Sequence, residues 1–542
     1  MNSGAVEVAT LVVGLAAAAV ASLRWLRVAQ REHYLASSTS RFAARWWLAG
    51  AGRHARSDRI FLLNSTLAAL AVAGLAAGAV VTPVAVVAAA IAAAAPVGLS
   101  LRGRTSPLVW TPRLRTLAAT TAVIAGAVIG ASATGGLRPA AVVACAVALG
   151  LPVVIDAALV ATTPLERRRL APFLRQASVR LASVHPTVVA ITGSYGKTST
   201  KGYVAHLLAG THSVVPTPRS FNNRAGLATA VNEHLAPGTD IFVAEMGTYG
   251  PGEISELCAM VPPDIAVITA VGPVHLERMG TVERIAEAKA EILERAPVAV
   301  LNVDNPLLAA LADRAQVEGK KVWRCGTTSE RLDVRVDLAA SGLVVTLGAG
   351  DQETFVASEG TGPKPLAGGG TAAVAISAAP TNVACAVAVA LELGVPVPTV
   401  VARLRDLPVA EHRQAVIRGG NGQIVIDDTY NANPAGAAAA LRLLARQGEP
   451  GGRRVVVTPG MVELGARQYE ENAAFARAGG EIASHLVVVG ATNAAALLAG
   501  AAGSSISVVR TRHRGEAVAW VTANTGPGDA VLYENDLPDH FP

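Results

Sequence analysis

The chain has 542 residues, enough for several domains, and 51% are hydrophobic with a mean hydropathy of +0.41, which argues against an ordinary water-soluble enzyme. Residues 1–165 contain 13 arginines, no lysine and four acids, whereas the rest of the chain contains 33 basic and 36 acidic residues. The basic character therefore belongs to the apolar part and gives no support to nucleic-acid binding. The four cysteines are far apart without a CxxC pair, which indicates neither a zinc ribbon nor a disulfide framework.

Residues 1–165 are predicted to form a membrane domain of about five transmembrane helices. Five apolar stretches are each close to the ~20 residues that a spanning helix needs. They cover roughly 4–22, 60–82, 84–101, 116–134 and 139–161. The third and fourth are short and would also fit re-entrant segments. Pro83 predicts a tight hairpin between the second and the third.

The arginines between these stretches predict an orientation. Eight lie between residues 24 and 59 and four between 102 and 115, whereas the connections on the opposite side carry only Arg138. By the positive-inside rule, the N-terminus is outside and everything after residue 165 is cytoplasmic. Glu7 and Asp156 are the only acids inside the stretches. We expect them either to reach the headgroups from helix ends or to mark a functional site in the membrane.

From residue 185 onward, short β-rich runs alternate with alanine-rich helical stretches, which predicts an α/β fold with a mostly parallel sheet. We expect a P-loop-type ATP-binding domain over 166–411, with hairpins in 332–357, and a Rossmann-like C-terminal domain over 412–542. The strand candidates are 187–192, 241–245, 264–270, 297–302, 423–428, 453–458, 485–490 and 505–510.

The segment VVAITGSYGKTSTKGY, residues 188–203, has the pattern of a phosphate-binding loop. A β-branched run leads into the turn Gly193-Ser194-Tyr195-Gly196, and Lys197-Thr198-Ser199 opens a helix. Such a loop surrounds phosphate with backbone N–H groups. Ile191 stands where a full Walker A motif has its first glycine, so the pattern alone is of moderate specificity. If the loop binds nucleotide, Lys197 reaches the β- and γ-phosphates, and the hydroxyl of Thr198 or Ser199 binds Mg²⁺.

The loop and the segments that follow it resemble the Mur ligase family in order, over about residues 185 to 470. Within the family, they are most similar to the ligases that join D-Ala-D-Ala to the UDP-MurNAc-tripeptide. The similar segments are PRSFNNRAGLATAV (218–231), FVAEMGTYGPGEISEL (242–257), PDIAVITAVGPVHLERMGTVERIAEAKAEIL (263–293), LNVDNP (301–306), IVIDDTYNANP (424–434) and GMVELG (460–465).

The resemblance implies a metal site at the ends of two strands and on a helix. It makes Glu245 and His275 ligands of Mg²⁺, and it makes Lys289 a carbamylated lysine that helps to hold a second Mg²⁺. Without the resemblance, Glu245 would be a solvated acid at a strand end, His275 a structural loop histidine and Lys289 a solvated lysine among glutamates.

The resemblance also implies contacts to the nucleotide. Asn382 resembles the asparagine on the adenine side, and Arg413 resembles the arginine that crosses from the third domain to the phosphate. Asp428 resembles the aspartate that fixes the ribose or that arginine. Lys197, Lys289, His275 and Arg413 would then form the catalytic set. Asn431 and Asn433 open the next helix and are expected to cap it.

The implied function is an ATP-dependent amide ligase of bacterial cell-wall assembly, held in the plasma membrane. A substrate carboxylate would be activated as an acyl phosphate, with ATP and two Mg²⁺ as cofactors, and an amine would then displace the phosphate. The expected partners are the membrane, a small-molecule or lipid-linked peptidoglycan-type precursor, and an amino acid or dipeptide.

The sequence departs from the family at both ends. Membrane helices stand where the family has a soluble domain for the UDP-sugar, and the ending VLYENDLPDHFP (531–542) lacks the expected lysine-glycine-serine. Two alternatives stay open: a ligase for another envelope polymer, such as a poly-γ-glutamate synthase, and a non-catalytic membrane scaffold that retains the fold. The DDTYNANP and MVELG segments favour the first function, and the retained lysines, acids and histidine argue against a scaffold.

Overall fold

The structure, a computed structural model, forms a helical N-terminal domain followed by two α/β domains. It describes residues 3–48, 59–99, 101, 107–219, 221–274, 276–339, 342–348, 353–357, 364–365, 371–372, 379–408, 413–430 and 432–537. This architecture confirms the predicted fold class.

Six helices build the N-terminal domain, over the part of it that the structure describes. They are α1 (Ser3–Arg31), α2 (Ser38–Leu48), α3 (Arg59–Gly78), α4 (Ala85–Ala94), α5 (Pro112–Ala133) and α6 (Leu137–Val184). Helices α1, α3, α5 and α6 are long and apolar enough to cross a membrane, whereas α4 is shorter. A 3₁₀ turn over Thr82–Val84 joins α3 to α4, which confirms the hairpin at Pro83.

The third apolar stretch, 84–101, is helical only in its first half. Helix α4 has ten residues, about 15 Å, and ends just before Pro96. Side chains satisfy the backbone that follows: the Arg24 guanidinium donates to the carbonyls of Ala95 and Leu99, and the Asn64 amide both donates to and accepts from Val97. Such replacement of helical hydrogen bonds is what an apolar surrounding requires of non-helical backbone.

Asp156, one of the two acids in the apolar stretches, holds α2 in place. Its carboxylate oxygens accept hydrogen bonds from the backbone N–H groups of Thr39 (3.1 Å) and Ser40 (2.8 Å) in the first turn of α2. A carboxylate at a helix N-terminus also interacts favourably with the helix dipole. Asp156 therefore has a structural partner within the protein rather than a headgroup.

Polar contacts mark the two ends of the helical bundle. At one end, Gln30 near the end of α1 exchanges two hydrogen bonds with the backbone of Val109, just before α5. At the other end, Arg138 at the start of α6 donates to the carbonyls of Ala79 and Val80 after α3. The C-terminus of α1 and the N-terminus of α5 thus lie at one end of the bundle.

Helix α6 links the bundle to the central domain without a break. Its 48 residues span about 72 Å and continue through three prolines. The last turns pack into the core of the central domain through Ala177 and Leu181. Arg180 donates to the carbonyl of Leu235, and Asn232 donates to that of Phe173.

The central domain is built on a nine-stranded sheet in the order β2-β3-β1-β4-β5-β6-β7-β8-β9. Strands β1 to β7 pair in parallel, and β7 to β9 form antiparallel hairpins, as predicted for 332–357. The strands are β1 (Thr187–Thr192), β2 (Val214–Pro216), β3 (Ile241–Glu245), β4 (Ile265–Ile268), β5 (Val298–Asn302), β6 (Lys321–Gly326), β7 (Val334–Ala339), β8 (Gly342–Leu347) and β9 (Glu353–Ala357), and a separate pair is formed by β10 (Lys364–Pro365) and β11 (Thr371–Ala372).

Helices cover both faces of this sheet, because its parallel strands are apolar on both sides. One core contains the last turns of α6 with α8, α9, α11 and α12, and the other contains α7, α13 and α14. The helices are α7 (Lys197–Leu208), α8 (Arg224–His234), α9 (Glu253–Met260), α10 (Leu276–Met279), α11 (Val282–Ala290), α12 (Pro306–Val317), α13 (Pro380–Glu392) and α14 (Val397–Leu404).

The C-terminal domain has a six-stranded sheet in the order β12-β13-β17-β14-β15-β16, parallel except for β12. Its elements are β12 (Ala415–Arg418), β13 (Ile424–Asp428), α15 (Pro434–Ala445), β14 (Arg454–Thr458), α16 (Gln468–Ile482), β15 (His485–Val489), α17 (Ala494–Ala501), β16 (Ser507–Thr511), α18 (Arg514–Asn524) and β17 (Ala530–Glu534). All eight strand candidates are confirmed to within a few residues, whereas β2, β6, β10, β11, β12 and β17 were not predicted.

Candidate active site

The predicted phosphate loop joins β1 to α7 at the carboxyl edge of the central sheet. Gly193 and Gly196 have φ angles of +155° and +84°, which side chains rarely allow. A Cβ atom on Gly193 would collide with the Thr269 hydroxyl, and one on Gly196 would collide with the side chain of Asn382. The loop is therefore fixed by close packing as well as by its turn.

Hydrogen bonds from the end of β4 hold the same loop. The Ser194 N–H donates to the carbonyl of Ala270 (2.8 Å), and the Thr269 hydroxyl lies 2.6 Å from the carbonyl oxygen of Tyr195. The Ser194 hydroxyl accepts from the N–H of Gly272 at 3.0 Å. These hydrogen bonds fix the shape of the loop backbone.

Lys197, the first residue of α7, folds back over the loop. Its Nζ donates to the carbonyl of Gly193 at 2.7 Å. Burial lowers the pKa of Lys197 to about 8; the neighbouring Glu245 raises it, and Arg413 lowers it further. The amine therefore lies among the charged groups at this sheet edge.

Glu245, at the carboxyl end of β3, is 1% exposed and contacts the start of α7. Its Oε2 accepts from the Thr198 hydroxyl at 3.0 Å and lies 3.1 Å from the Lys201 Nζ. Its Oε1 accepts from the Asn222 amide at 3.2 Å. Of the two candidate hydroxyls, Thr198 and Ser199, it is thus Thr198 that contacts the acid.

Lys289, near the end of α11, is buried beside Lys197. Burial, and then the positive charge of Lys197, hold the pKa of Lys289 well below its usual value. A solvated lysine, which the local pattern alone suggests, does not fit this position. The site therefore contains two amines, of which Lys289 is the one that favours the neutral form.

Arg413 and Asp428, which belong to the C-terminal domain, lie near the phosphate loop. The Arg413 guanidinium lies 4.5 Å from the ring centre of Tyr430, and its charge influences the pKa of Lys197. Burial raises the pKa of Asp428 to about 6, and this is opposed first by Arg413 and then by hydrogen bonds from Gln414. Asp428 thus lies beside that arginine.

The structure thus brings together most of the residues that the sequence singled out. The loop, Lys197, Thr198, Glu245 and Lys289 meet at one sheet edge, and Arg413 with Asp428 approaches from the C-terminal domain. Asn382 lies at the start of α13 against Gly196. His275 and Asn431 lie outside the described residues. Asn433 caps α15 by accepting from the N–H of Gly436.

Three neighbours of the site were missed. Lys201 and Asn222 bind Glu245, and Gln414 binds Asp428. Lys201 lies one helical turn after Lys197, and this spacing was the available signal. Asn222 and Gln414 come close to their partners through the tertiary fold, so the sequence pattern offered no signal for them.

This geometry suits phosphoryl transfer. The Thr198 hydroxyl and the Glu245 carboxylate, oxygen ligands that suit a hard cation, lie beside the loop and Lys197, and the charge of Arg413 from the C-terminal domain acts on Lys197. Charge stabilisation and positioning are the main contributions that a protein makes to such a reaction.

Two family profiles match the chain: the Mur ligase middle domain over residues 191–354, and the Mur ligase glutamate ligase domain over residues 412–533. Among characterised proteins, UDP-N-acetylmuramoyl-tripeptide–D-alanyl-D-alanine ligase of Mycobacterium bovis is 33% identical over 386 residues, which cover 67% of this chain and 73% of that one. The Escherichia coli K12 enzyme of the same name is 31% identical over 313 residues, 57% of this chain and 64% of that one.

Solved structures give the same result. MurF from Acinetobacter baumannii is similar with a TM-score of 0.55 and 25% identity, covering 67% of this chain and 77% of that chain. MurF ligase from Thermotoga maritima in complex with ADP has a TM-score of 0.55 and 26% identity, covering 68% and 80%. The chain therefore belongs to the Mur ligase family and is an ATP-dependent ligase, with an apolar helical domain in front of the family's middle and C-terminal domains.

Proposed function

We propose that the chain is a membrane-anchored, MurF-like ligase that joins a D-Ala-D-Ala-type amine to the carboxylate of a cell-wall peptide precursor. The observation that carries the proposal is the meeting of Lys197, Lys289, the Thr198–Glu245 pair and Arg413 at one sheet edge. The Mycobacterium bovis relative, which is named for this reaction, covers 67% of the chain.

The proposed reaction has two steps. The precursor carboxylate attacks the γ-phosphorus of ATP, and ADP leaves with the bridging oxygen. The amine then attacks the carbonyl carbon of the acyl phosphate, inorganic phosphate leaves, and the amine loses a proton as the amide forms. Lys197 and Arg413 would donate hydrogen bonds to the phosphate oxygens during transfer. Asn382, beside the loop, would contact the adenine side, and Asp428 would orient Arg413.

Thr198, Glu245 and His275 would hold Mg²⁺. The fit is supported by the chemistry of the first two: a hydroxyl and a buried carboxylate are hard oxygen ligands, and they lie 3.0 Å apart. When bound, Mg²⁺ offsets the negative charge of the ATP phosphates.

Lys289 would be carbamylated and would supply a further carboxylate oxygen to a second Mg²⁺. The lowered pKa of Lys289 favours its neutral form, which is the form of an amine that can add to carbon dioxide. The resulting negative charge would lie beside Lys197 and would be attracted to the positive charge of that lysine. Mass spectrometry of the native protein with and without bicarbonate tests this directly.

The helical domain would place the enzyme in a bacterial plasma membrane, with the N-terminus outside and the catalytic domains in the cytoplasm. Large apolar side chains of the bundle face outward, among them Val12, Leu70, Val123 and Val153. Such a surface is suited to lipid. Of the described arginines in these connections, Arg41 and Arg45 line a cavity together with Arg278 of the central domain, and Arg113 lies 4.2 Å from the ring centre of Tyr34 after α1, which supports this orientation.

The test is phosphate release from ATP by the full-length protein in detergent. UDP-MurNAc-tripeptide and D-Ala-D-Ala are supplied together or singly, and the product is identified by mass. Release that requires both, with a product equal to their sum less water, is the expected result. Phosphate release that depends on neither the peptide precursor nor the amine would contradict the proposal.

A further inference from the structure

Lys201 is a buried lysine to which the proposed reaction gives no role. It belongs to α7 and follows Lys197 by four residues, so the two side chains lie on the same face of the helix. Its side chain is 7% exposed. Lysines are almost never buried to this extent unless they are paired. The partner of Lys201 therefore indicates its role.

That partner is Glu245, one of the residues that would hold Mg²⁺. Lys201 Nζ lies 3.1 Å from Oε2, the same oxygen that accepts from the Thr198 hydroxyl at 3.0 Å. Oε1 accepts from the Asn222 amide at 3.2 Å, and the side chain of Glu245 is 1% exposed. Both oxygens thus contact donors of the protein itself, and the carboxylate is closed off from solvent. A metal ion would have to compete with these donors.

The ammonium group of Lys201 is held in place from a second side. Its Nζ also donates a hydrogen bond to the carbonyl of Arg219, a residue with a φ angle of +44°. Arg219 precedes Asn222 by three residues. The N–H of Gly247 donates to the carbonyl of Asn222 at 2.7 Å, which fixes this segment to the chain just after Glu245. The segment that binds the carboxylate therefore also positions the lysine.

Lys201 differs from the other donors to Glu245 by its charge. Lys197 is also near Glu245, but its Nζ donates to the carbonyl of Gly193. Among the described residues, the ion pair of Glu245 is the one with Lys201. A buried carboxylate without a cation is strongly unfavourable, and two cations at one carboxylate repel each other. The ammonium group and Mg²⁺ are thus alternatives for one negative charge.

We propose that Lys201 is the counter-ion of Glu245 in the metal-free protein and competes with Mg²⁺ for this carboxylate. The ammonium group stabilises the site while no metal is bound, and its charge keeps the affinity for Mg²⁺ alone low. The phosphates of ATP bring further negative charge, so the metal binds mainly together with the nucleotide. This inference rests on the proposed function, because it takes Thr198 and Glu245 as ligands of Mg²⁺.

The experiment titrates MgCl₂ into the full-length protein in detergent, without nucleotide. Binding is measured by calorimetry, and the midpoint of thermal unfolding is measured in EDTA and at each Mg²⁺ concentration. The variants are Lys201→Met, which removes the charge but keeps an unbranched side chain, and Lys201→Arg, which keeps the charge. The matched control is Lys321→Met, which breaks an ion pair with Glu392 (2.7 Å) at the opposite edge of the central sheet.

We expect Lys201→Met to bind Mg²⁺ about tenfold more tightly than the wild type, because the competing ammonium group is gone. In EDTA its unfolding midpoint should lie about 5 °C or more below that of the wild type, because a buried carboxylate is left unpaired. Saturating Mg²⁺ should remove this difference, since the metal supplies the missing positive charge. Lys201→Arg should resemble the wild type, and Lys321→Met should respond to Mg²⁺ as the wild type does.

Unchanged or weaker Mg²⁺ binding by Lys201→Met would overturn the inference. A loss of stability that Mg²⁺ does not restore would overturn it too, because a lysine needed only for packing gives that result. If Lys201→Met does not fold in EDTA, the double variant Lys201→Met with Glu245→Gln decides, since it removes both charges. It should fold in EDTA and gain no stability from Mg²⁺, whereas its failure to fold would show that the lysine is needed for packing.

These titrations need neither peptide nor amine, so they are independent of the ligase reaction. Turnover of the wild type with both substrates is measured beside them. A working ligase whose Mg²⁺ affinity is the same with and without the Lys201 charge would reject the role of Lys201 alone. The expected response to Mg²⁺ in a protein that does not ligate would reject the proposed reaction and leave the counter-ion in place.

Discussion

At the scale of the residue, the buried charges of this chain fall into two kinds. Lys197, Lys289 and Glu245 gather at the carboxyl edge of the central sheet, where they perturb one another. Glu534 is wholly buried at the end of β17, next in register to Asp428. Its Oε2 accepts from the Thr458 hydroxyl, whereas its Oε1 has no partner among the described residues. We propose that the first kind serves catalysis, whereas the second is costly to the folded state.

Lys197→Ala tests the first kind. We expect ATP-dependent product formation to fall about 100- to 1000-fold, because a positioned donor to the transferred phosphate is lost. Lys320→Ala, which changes a lysine remote from the loop, serves as the control and should leave turnover unchanged. The measurement is phosphate release with both substrates present. Undiminished release by the Lys197 variant would revive a non-catalytic role.

Glu534→Gln tests the second kind. Burial raises the pKa of Glu534 to about 8, opposed by the hydrogen bond from Thr458, and Asp428 raises it further. The folded chain then holds a proton that the unfolded chain releases, so stability falls as pH rises from about 4.5 to about 8. The amide cannot ionise. We therefore expect the variant to have a Tm above that of the wild type at pH 8.5 and near it at pH 5.

Thermal unfolding across this pH range provides the measurement, with Glu470→Gln, an exposed acid of the same domain, as the control. Parallel pH profiles for wild type and Glu534→Gln would show that the Glu534 carboxyl is not the source of the dependence.

The sequence could predict those site residues that follow local patterns. Lys197 follows a glycine-rich turn, and Glu245 ends an apolar strand, so each carries its signal within a few neighbours. Glu534 could not be predicted, because its position depends on β13 and β14, which lie far away along the chain. Asp156 likewise contacts Thr39 of α2 across 117 residues of sequence. Partners of that kind follow from the tertiary fold alone.

At the scale of the element, the helical bundle is held together by polar side chains at helix ends. Arg24 donates hydrogen bonds to backbone carbonyls after α4, and Asp156 accepts hydrogen bonds from backbone N–H groups at the start of α2. Hydropathy predicted where the helices lie, since apolar length is a local property. It could not predict that α4 stops after ten residues, because the carbonyls that follow are satisfied by α1 and α3.

Arg24→Leu removes the side-chain hydrogen bonds to the backbone carbonyls that follow α4. We expect the bundle to lose about 3–5 kcal/mol of stability, since several carbonyls in apolar surroundings lose a charged donor. Unfolding of the detergent-solubilised protein by denaturant is the measurement, and Arg168→Leu is the exposed control. Equal midpoints for the two variants would contradict this role of Arg24.

Asp156→Asn weakens the anchor of α2. We expect a loss of about 1–2 kcal/mol, because the carboxylate both caps the helix and faces its positive end. Glu7→Gln is the matched control, since the Glu7 carboxylate makes no hydrogen bond within the described residues. If Glu7→Gln proved the more harmful change, the acid of functional interest would be Glu7.

At the scale of the whole molecule, α6 joins the bundle to the catalytic part as one body. Leu181 lies in the same core as Leu227 and Val231 of α8. Burial of one such leucine contributes about 1.5–3 kcal/mol. The division into domains near residues 165 and 411 stays a prediction, and the last turns of α6 belong by their packing to the central core.

Removal of these turns tests that packing. A chain of residues 186–542 should unfold at a lower temperature than one of residues 166–542, because the apolar face of α8 is left uncovered. Thermal unfolding by circular dichroism and sedimentation in the same buffer compare the two. Identical midpoints would mean that α6 is only a connection.

An unbroken helix between the helical bundle and the catalytic core also sets the distance between them. Each added residue lifts the ATP site by about 1.5 Å and turns it by about 100°. A change in the length of α6 by whole helical turns would keep the orientation of the site relative to the bundle, whereas any other change would rotate the site about the helix axis. The distance between the bundle and the catalytic core therefore depends on the number of residues in α6 together with the direct contact between Glu32 and Arg278.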